Sequence, residues 1–187
     1  MAIPSRNTDP EKIQNDSRTF FVTSKTNGGR ALLQTERMAL LLINVLQTYV
    51  AAGKFNLHDF VVMPNHFHLQ LTIDREMTIE KTVGLIKGNF SYSAKKELGW
   101  QHEIWQPGFS DERVWDRESF LRHRKYIDNN PVKAGLARTP EEYPYGSAFF
   151  KRQKKQGLKP KLQDAVRHEQ ATPAHGACAG GPGKLVP

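Results

Sequence analysis

Residues 55–63 (FNLHDFVVM) and 66–73 (HFHLQLTI) are two strand-length apolar stretches separated only by Pro64-Asn65. A connection that short, made of turn-forming residues, predicts an antiparallel hairpin. The flanking sequence extends the pattern. Residues 19–26 (TFFVTSKT) are aromatic and β-branched and read as a strand, broken by Asn27-Gly28-Gly29. Residues 34–52 carry Met38, Leu41, Leu42, Val45, Leu46 and Tyr49 at helical spacing, and Gly53 ends that helix. Residues 78–98 predict a second helix, with Thr78 as cap, Ile79, Val83, Ile86 and Phe90 as apolar face, and Gly99 as stop. Gly84 and Gly88 weaken its middle. A short strand is expected at 112–115 and a third helix at 117–129, with Phe120 and Leu121 toward the core. Pro131 forbids that helix to continue. Residues 142–150 read as irregular and aromatic.

This order gives an α+β class: a ferredoxin-like βαββαβ antiparallel sheet with helices on one face, plus an extra C-terminal helix. Residues 1–18 read as a flexible polar arm and 19–150 as the folded domain. Residues 151–187 read as a basic tail expected to be disordered, since its end, ATPAHGACAGGPGKLVP, is low in complexity.

A length of 187 residues suits one domain, and 38% hydrophobic with 25% charged residues suits a globular protein with a core. The single cysteine, Cys178, excludes an internal disulfide and a cysteine-built zinc site. No apolar run approaches the ~20 residues of a membrane helix. The opening MAIPSRNTDPEK has no hydrophobic signal region, so the expected location is cytoplasmic. A net charge of +8 and a pI near 9.6 point to a polyanionic partner, with nucleic acid ahead of simple solubility.

Side chains two apart on a strand share a face. His66 and His68 therefore point the same way and Phe67 the other. Two imidazoles on one face are either half of a divalent metal site or two surface histidines on the wet side of a sheet. With none of the usual cysteine spacings to close a structural site, any metal here keeps open positions, which suits an oxygen-rich substrate such as phosphate. On the third helix, Tyr126 and Asn130 lie four apart and share a face. Around them lie Arg122, His123, Arg124, Lys125 and Lys133. Each feature alone also has an ordinary structural reading: packing, a helix stop, a solvated face.

Taken together, PNHFH (64–68), IWQPGFSDERVWD (104–116) and YIDNNPVKAG (126–135) resemble the REP-associated tyrosine transposases. These belong to the single-tyrosine, His-hydrophobe-His (HUH) nucleases related to insertion-sequence transposases. The likeness spans about residues 19–147 and implies a metal-dependent single-stranded DNA endonuclease and strand transferase. It implies His66 and His68 as metal ligands for Mg²⁺ or Mn²⁺, with Asn130 completing the set. Tyr126 becomes the nucleophile of a 5′-phosphotyrosine intermediate in DNA transposition or recombination. The implied substrate is a short REP-type hairpin, bound by a monomer or homodimer. Arg122, Arg124, Lys125, Lys133, Lys151, Arg152, Lys154 and Lys155 are the expected backbone-tracking cations. Trp100, Trp105 and Phe109 either stack unpaired bases or pack in the fold. Tyr92 is a rival nucleophile. Two alternatives stay open: a non-catalytic hairpin-binding module, and a phosphodiesterase that uses water.

Overall fold

The computed structural model describes residues 17–157; residues 1–16 of the expected arm and 158–187 of the expected tail lie outside them. Strands β1 (Arg18–Lys25), β2 (Asn56–Met63), β3 (His66–Ile73) and β4 (Ser110–Val114) form one antiparallel sheet in the order β2-β3-β1-β4. Helices α1 (Glu36–Ala51) and α2 (Ile79–Leu98) fill the two crossovers. The α+β ferredoxin-like expectation holds, including the hairpin turn at Pro64-Asn65.

Alternation along β3 sorts the protein into two layers. Phe67, Leu69, Leu71 and Ile73 are fully buried and meet Phe20 and Val22 of β1 under α1 and α2. His66, His68, Gln70 and Thr72 face the other way. Thr35 and Thr78 cap α1 and α2 by accepting from Met38 N and Lys81 N. Gly99 ends α2 in the left-handed conformation.

Helix α3 (Arg117–Lys133) covers part of the second face, where Ile127 packs with Val61 and Met63 of β2. Asp116 and Ser119 start it with a reciprocal capping box. Contrary to expectation, α3 runs through Pro131. Proline removes one backbone donor but its fixed φ is helical. Ile127 and Pro131 are buried in this layer, and Ala134 N and Leu136 N close the last turn on Asn130 O and Pro131 O. The last strand begins earlier than expected, at Ser110, and releases Trp115 to solvent at 74% exposure.

The segment expected to be irregular is ordered by the edge of β2. Val62 N donates to Tyr145 O at 2.9 Å, the Tyr143 hydroxyl donates to Val62 O at 2.8 Å, and Phe60 N donates to Ser147 Oγ. Helix α4 (Ser147–Lys155) follows, with Phe150 against Phe60. The start of the expected tail is thus helical, because α4 gains an apolar contact and an ion pair. Asp59 of β2 is fully buried; Arg124 of α3 reaches its Oδ2 at 3.0 Å, and Lys151 of α4 binds its Oδ1. One carboxylate fastens both later helices to the sheet. Replacing both cations, Arg124→Met with Lys151→Met, strands a buried charge and is expected to cost about 3 kcal/mol in urea denaturation. Adding Asp59→Leu should recover most of that loss.

Candidate active site

The second face of the sheet brings the distant sequence motifs together. The His66 and His68 rings are 4.8 Å apart, centroid to centroid, and α3 carries the Tyr126 ring to 5.1 Å from His68. Asn130, one turn on, lies close enough to the His66 ring to raise its pKa. Phe21 of β1 organises the cluster. It stacks on His68 at 5.4 Å and on His123 at 4.5 Å, and meets Tyr126 edge-on at 5.8 Å.

Each histidine is held through its Nδ1. Thr23 stands across the ladder from His68, with its Oγ1 2.7 Å from His68 Nδ1. His66 Nδ1 lies 2.7 Å from Asn65 Oδ1. The Asn65 amide nitrogen donates to Gly29 O, so its oxygen faces His66 and accepts the Nδ1 proton. That contact needs a chain reversal at Asn27-Gly28-Gly29, where Gly28 and Gly29 have φ of 64° and 66°, a region other residues rarely enter. Thr26 N also donates to Asn65 O, pinning the hairpin turn to the end of β1.

The Nε2 of His68 is buried and has no hydrogen-bond partner among the described residues. An orphaned buried nitrogen is costly unless something binds it. Two imidazoles held by Nδ1, one with Nε2 open, beside an amide, fit a divalent cation with neutral donors. Among the described residues no group of three His, Cys, Asp or Glu could hold a metal ion. Burial, with His66 and Lys25 nearby, pushes His68 down to about 3. Burial and then Lys25 also lower His66, partly opposed by Asn130. Both rings are therefore in the neutral, lone-pair-donating form at neutral pH.

Residues 21–130 match the family described as "Transposase IS200 like". The chain belongs to this family. A protein of Escherichia coli (strain K12) named "REP-associated tyrosine transposase" is 25% identical over 143 residues, covering 76% of this chain and 82% of its own. A solved REP-associated tyrosine transposase bound to a REP hairpin superposes with a TM-score of 0.62 and 26% identity, covering 86% of this chain and 89% of that one.

Within this transposase fold the candidates separate. Tyr126 is 43% exposed beside the histidines, with Lys133 Nζ 5.4 Å over its ring. Tyr92, 64% exposed, lies on α2, which covers the opposite face of the sheet. Trp105 packs on Phe67 and Phe90 and donates to Lys87 O, while Trp100 and Phe109 are half-buried against the main core. Of the expected cations, Lys125, Lys133, Arg152, Lys154 and Lys155 are exposed. Arg122 faces Glu112 at 3.7 Å, and Arg124 and Lys151 are engaged by Asp59. Thr23 and Lys25 escaped sequence reasoning, since only register shows what stands across from a histidine.

The lowered pKa of His68 has a defined sign. The unfolded ring, titrating near 6.5, takes up protons that the folded ring refuses. The contribution to stability is present above about pH 6.5 and is lost as pH falls toward 3. Ring-nitrogen NMR shifts of His68 should accordingly stay flat from pH 8 to pH 5; a midpoint near 6.5 would contradict the burial described here.

Proposed function

We propose that this chain is a metal-dependent endonuclease and strand transferase for single-stranded, REP-type hairpin DNA, working through a 5′-phosphotyrosine intermediate on Tyr126. The observation that carries the reading is the convergence of Tyr126 with His66, His68 and Asn130 within one chain. The REP hairpin bound by the similar solved protein supports the substrate class. A monomer suffices for this site, since no second copy is needed to bring the phenol to the histidines. Residues 19–150 form the catalytic domain.

His66, His68 and Asn130 would hold Mg²⁺ or Mn²⁺, which when bound supplies Lewis-acid withdrawal of charge from a phosphate oxygen. The protein's own part is positioning. A free phenol is a weak nucleophile at neutral pH, so orientation has to contribute much of the rate. The edge-on contact with Phe21 and the Arg124–Asp59 pair hold Tyr126 against the sheet. Its oxygen attacks the phosphorus, the bond to the 3′ oxygen breaks, the phenol gives up its proton and the leaving 3′ oxygen gains one. The products are a 5′-phosphotyrosine and a 3′-hydroxyl. A second 3′-hydroxyl can reverse the attack, so cutting and joining share one site and need no nucleotide cofactor. Lys125, Arg152, Lys154 and Lys155 contact the backbone and make binding salt-sensitive.

Labelled hairpin DNA incubated with the protein and Mn²⁺ should give a covalent adduct on a denaturing gel. Tyr126→Phe should lower the adduct by about 10³-fold or more. His66→Ala should abolish cleavage while changing DNA affinity measured without Mn²⁺ by less than about threefold, because phosphate contacts dominate affinity. Cleavage without adduct would instead identify a hydrolase that uses water; binding without cleavage would identify a hairpin-recognition module.

A further inference from the structure

Lys25 ends β1 directly across the ladder from His66. Cross-strand partners share a face, with Cβ atoms about 5 Å apart. Thr23, two residues back on that face, already touches His68. The Lys25 side chain therefore rises beside the histidine pair. It is exposed, and no hydrogen bond or ion pair joins its ammonium to another described residue.

The charge around this lysine is lopsided. The candidate donors, His66, His68 and Asn130, are all neutral. No Asp or Glu joins the pair in a metal-holding group among the described residues. A second ammonium, Lys133, lies over the Tyr126 ring. A dication entering this set meets positive charge and no compensating carboxylate. A phosphodiester supplies the missing negative charge and can accept from both lysines.

We propose that Lys25 is a phosphate-binding residue of this site, holding a non-bridging oxygen of the scissile phosphate and thereby coupling cation binding to DNA binding. The inference rests on the site reading given above. In the free protein Lys25 repels the cation; with DNA bound, the phosphate lies between the two charges and each attraction strengthens the other. Linkage makes the effect reciprocal: DNA tightens the cation by the factor by which the cation tightens DNA.

The test uses the full chain carrying Tyr126→Phe, so that DNA is bound and not cut. Mn²⁺ is titrated by electron paramagnetic resonance with and without hairpin DNA, and hairpin DNA is titrated with and without Mn²⁺. Both titrations should show the same coupling, about tenfold or more. Adding Lys25→Gln should tighten Mn²⁺ on the free chain, weaken DNA in the presence of Mn²⁺, and shrink the coupling severalfold; Lys25→Arg should restore most of it. A coupling factor unchanged by Lys25→Gln overturns the role of Lys25 and leaves the metal site standing. Absence of Mn²⁺ binding in either state, or binding indifferent to His66→Ala, overturns both.

Discussion

The antiparallel pairing of β1 with β3 is the constraint on which the site depends. Its register puts Thr23 opposite His68 and Lys25 opposite His66. A slip of one residue would turn both histidines into the core and Phe67, Leu69, Leu71 and Ile73 into water. Each of those four side chains is completely buried. At about 1.5–3 kcal/mol per side chain, exposing them would cost as much as the typical net stability of a domain of about 5–15 kcal/mol. Apolar burial on one face thus sets the geometry of polar groups on the other.

The second face is built differently. Helix α3 buries few apolar groups there, chiefly Ile127 and Pro131. Its attachment comes from the aromatic stack on Phe21, the Arg124–Asp59 pair and the Gln70 amide donating to Phe120 O. These contacts are directional. They constrain the rotation of the helix about its axis, which aims Tyr126 and Asn130, more tightly than an apolar seam would. Polar attachment leaves the histidines beside groups that orient them and neutralise no charge.

Much of the fold was legible because the pattern along the chain was strict. Strand β3 alternates without a break from His66 to Ile73, and α2 carries its own start and stop in Thr78 and Gly99. The histidine face followed from alternation, and the shared face of Tyr126 and Asn130 from helical spacing. What could not be read was what stands across from what. The lysine beside His66 and the hydroxyl that orients His68 follow from strand register. Arg124 and Lys151 were legible as cations, but the carboxylate that binds them lies 65 and 92 residues away. Pro131 misled because a local rule about one lost donor omits the burial that holds the last turn of α3. The two halves of α4 read as the end of an irregular segment (SAFF) and the start of a basic tail (KRQKK), because their ordering contacts, Phe60 and Asp59, belong to β2.

The sealing of β2 has a consequence for how the polypeptide is made. Residues that close its outer edge follow it by more than 80 positions. A nascent chain can complete the four strands while Tyr143, Tyr145 and Ser147 are still inside the ribosome. During that interval β2 offers unpaired backbone groups flanked by Phe60, Val61 and Val62, a template for strand addition by any neighbouring chain. Closure of that edge is therefore a late event of biosynthesis, and polypeptides released before Tyr143 emerge with an aggregation-prone border.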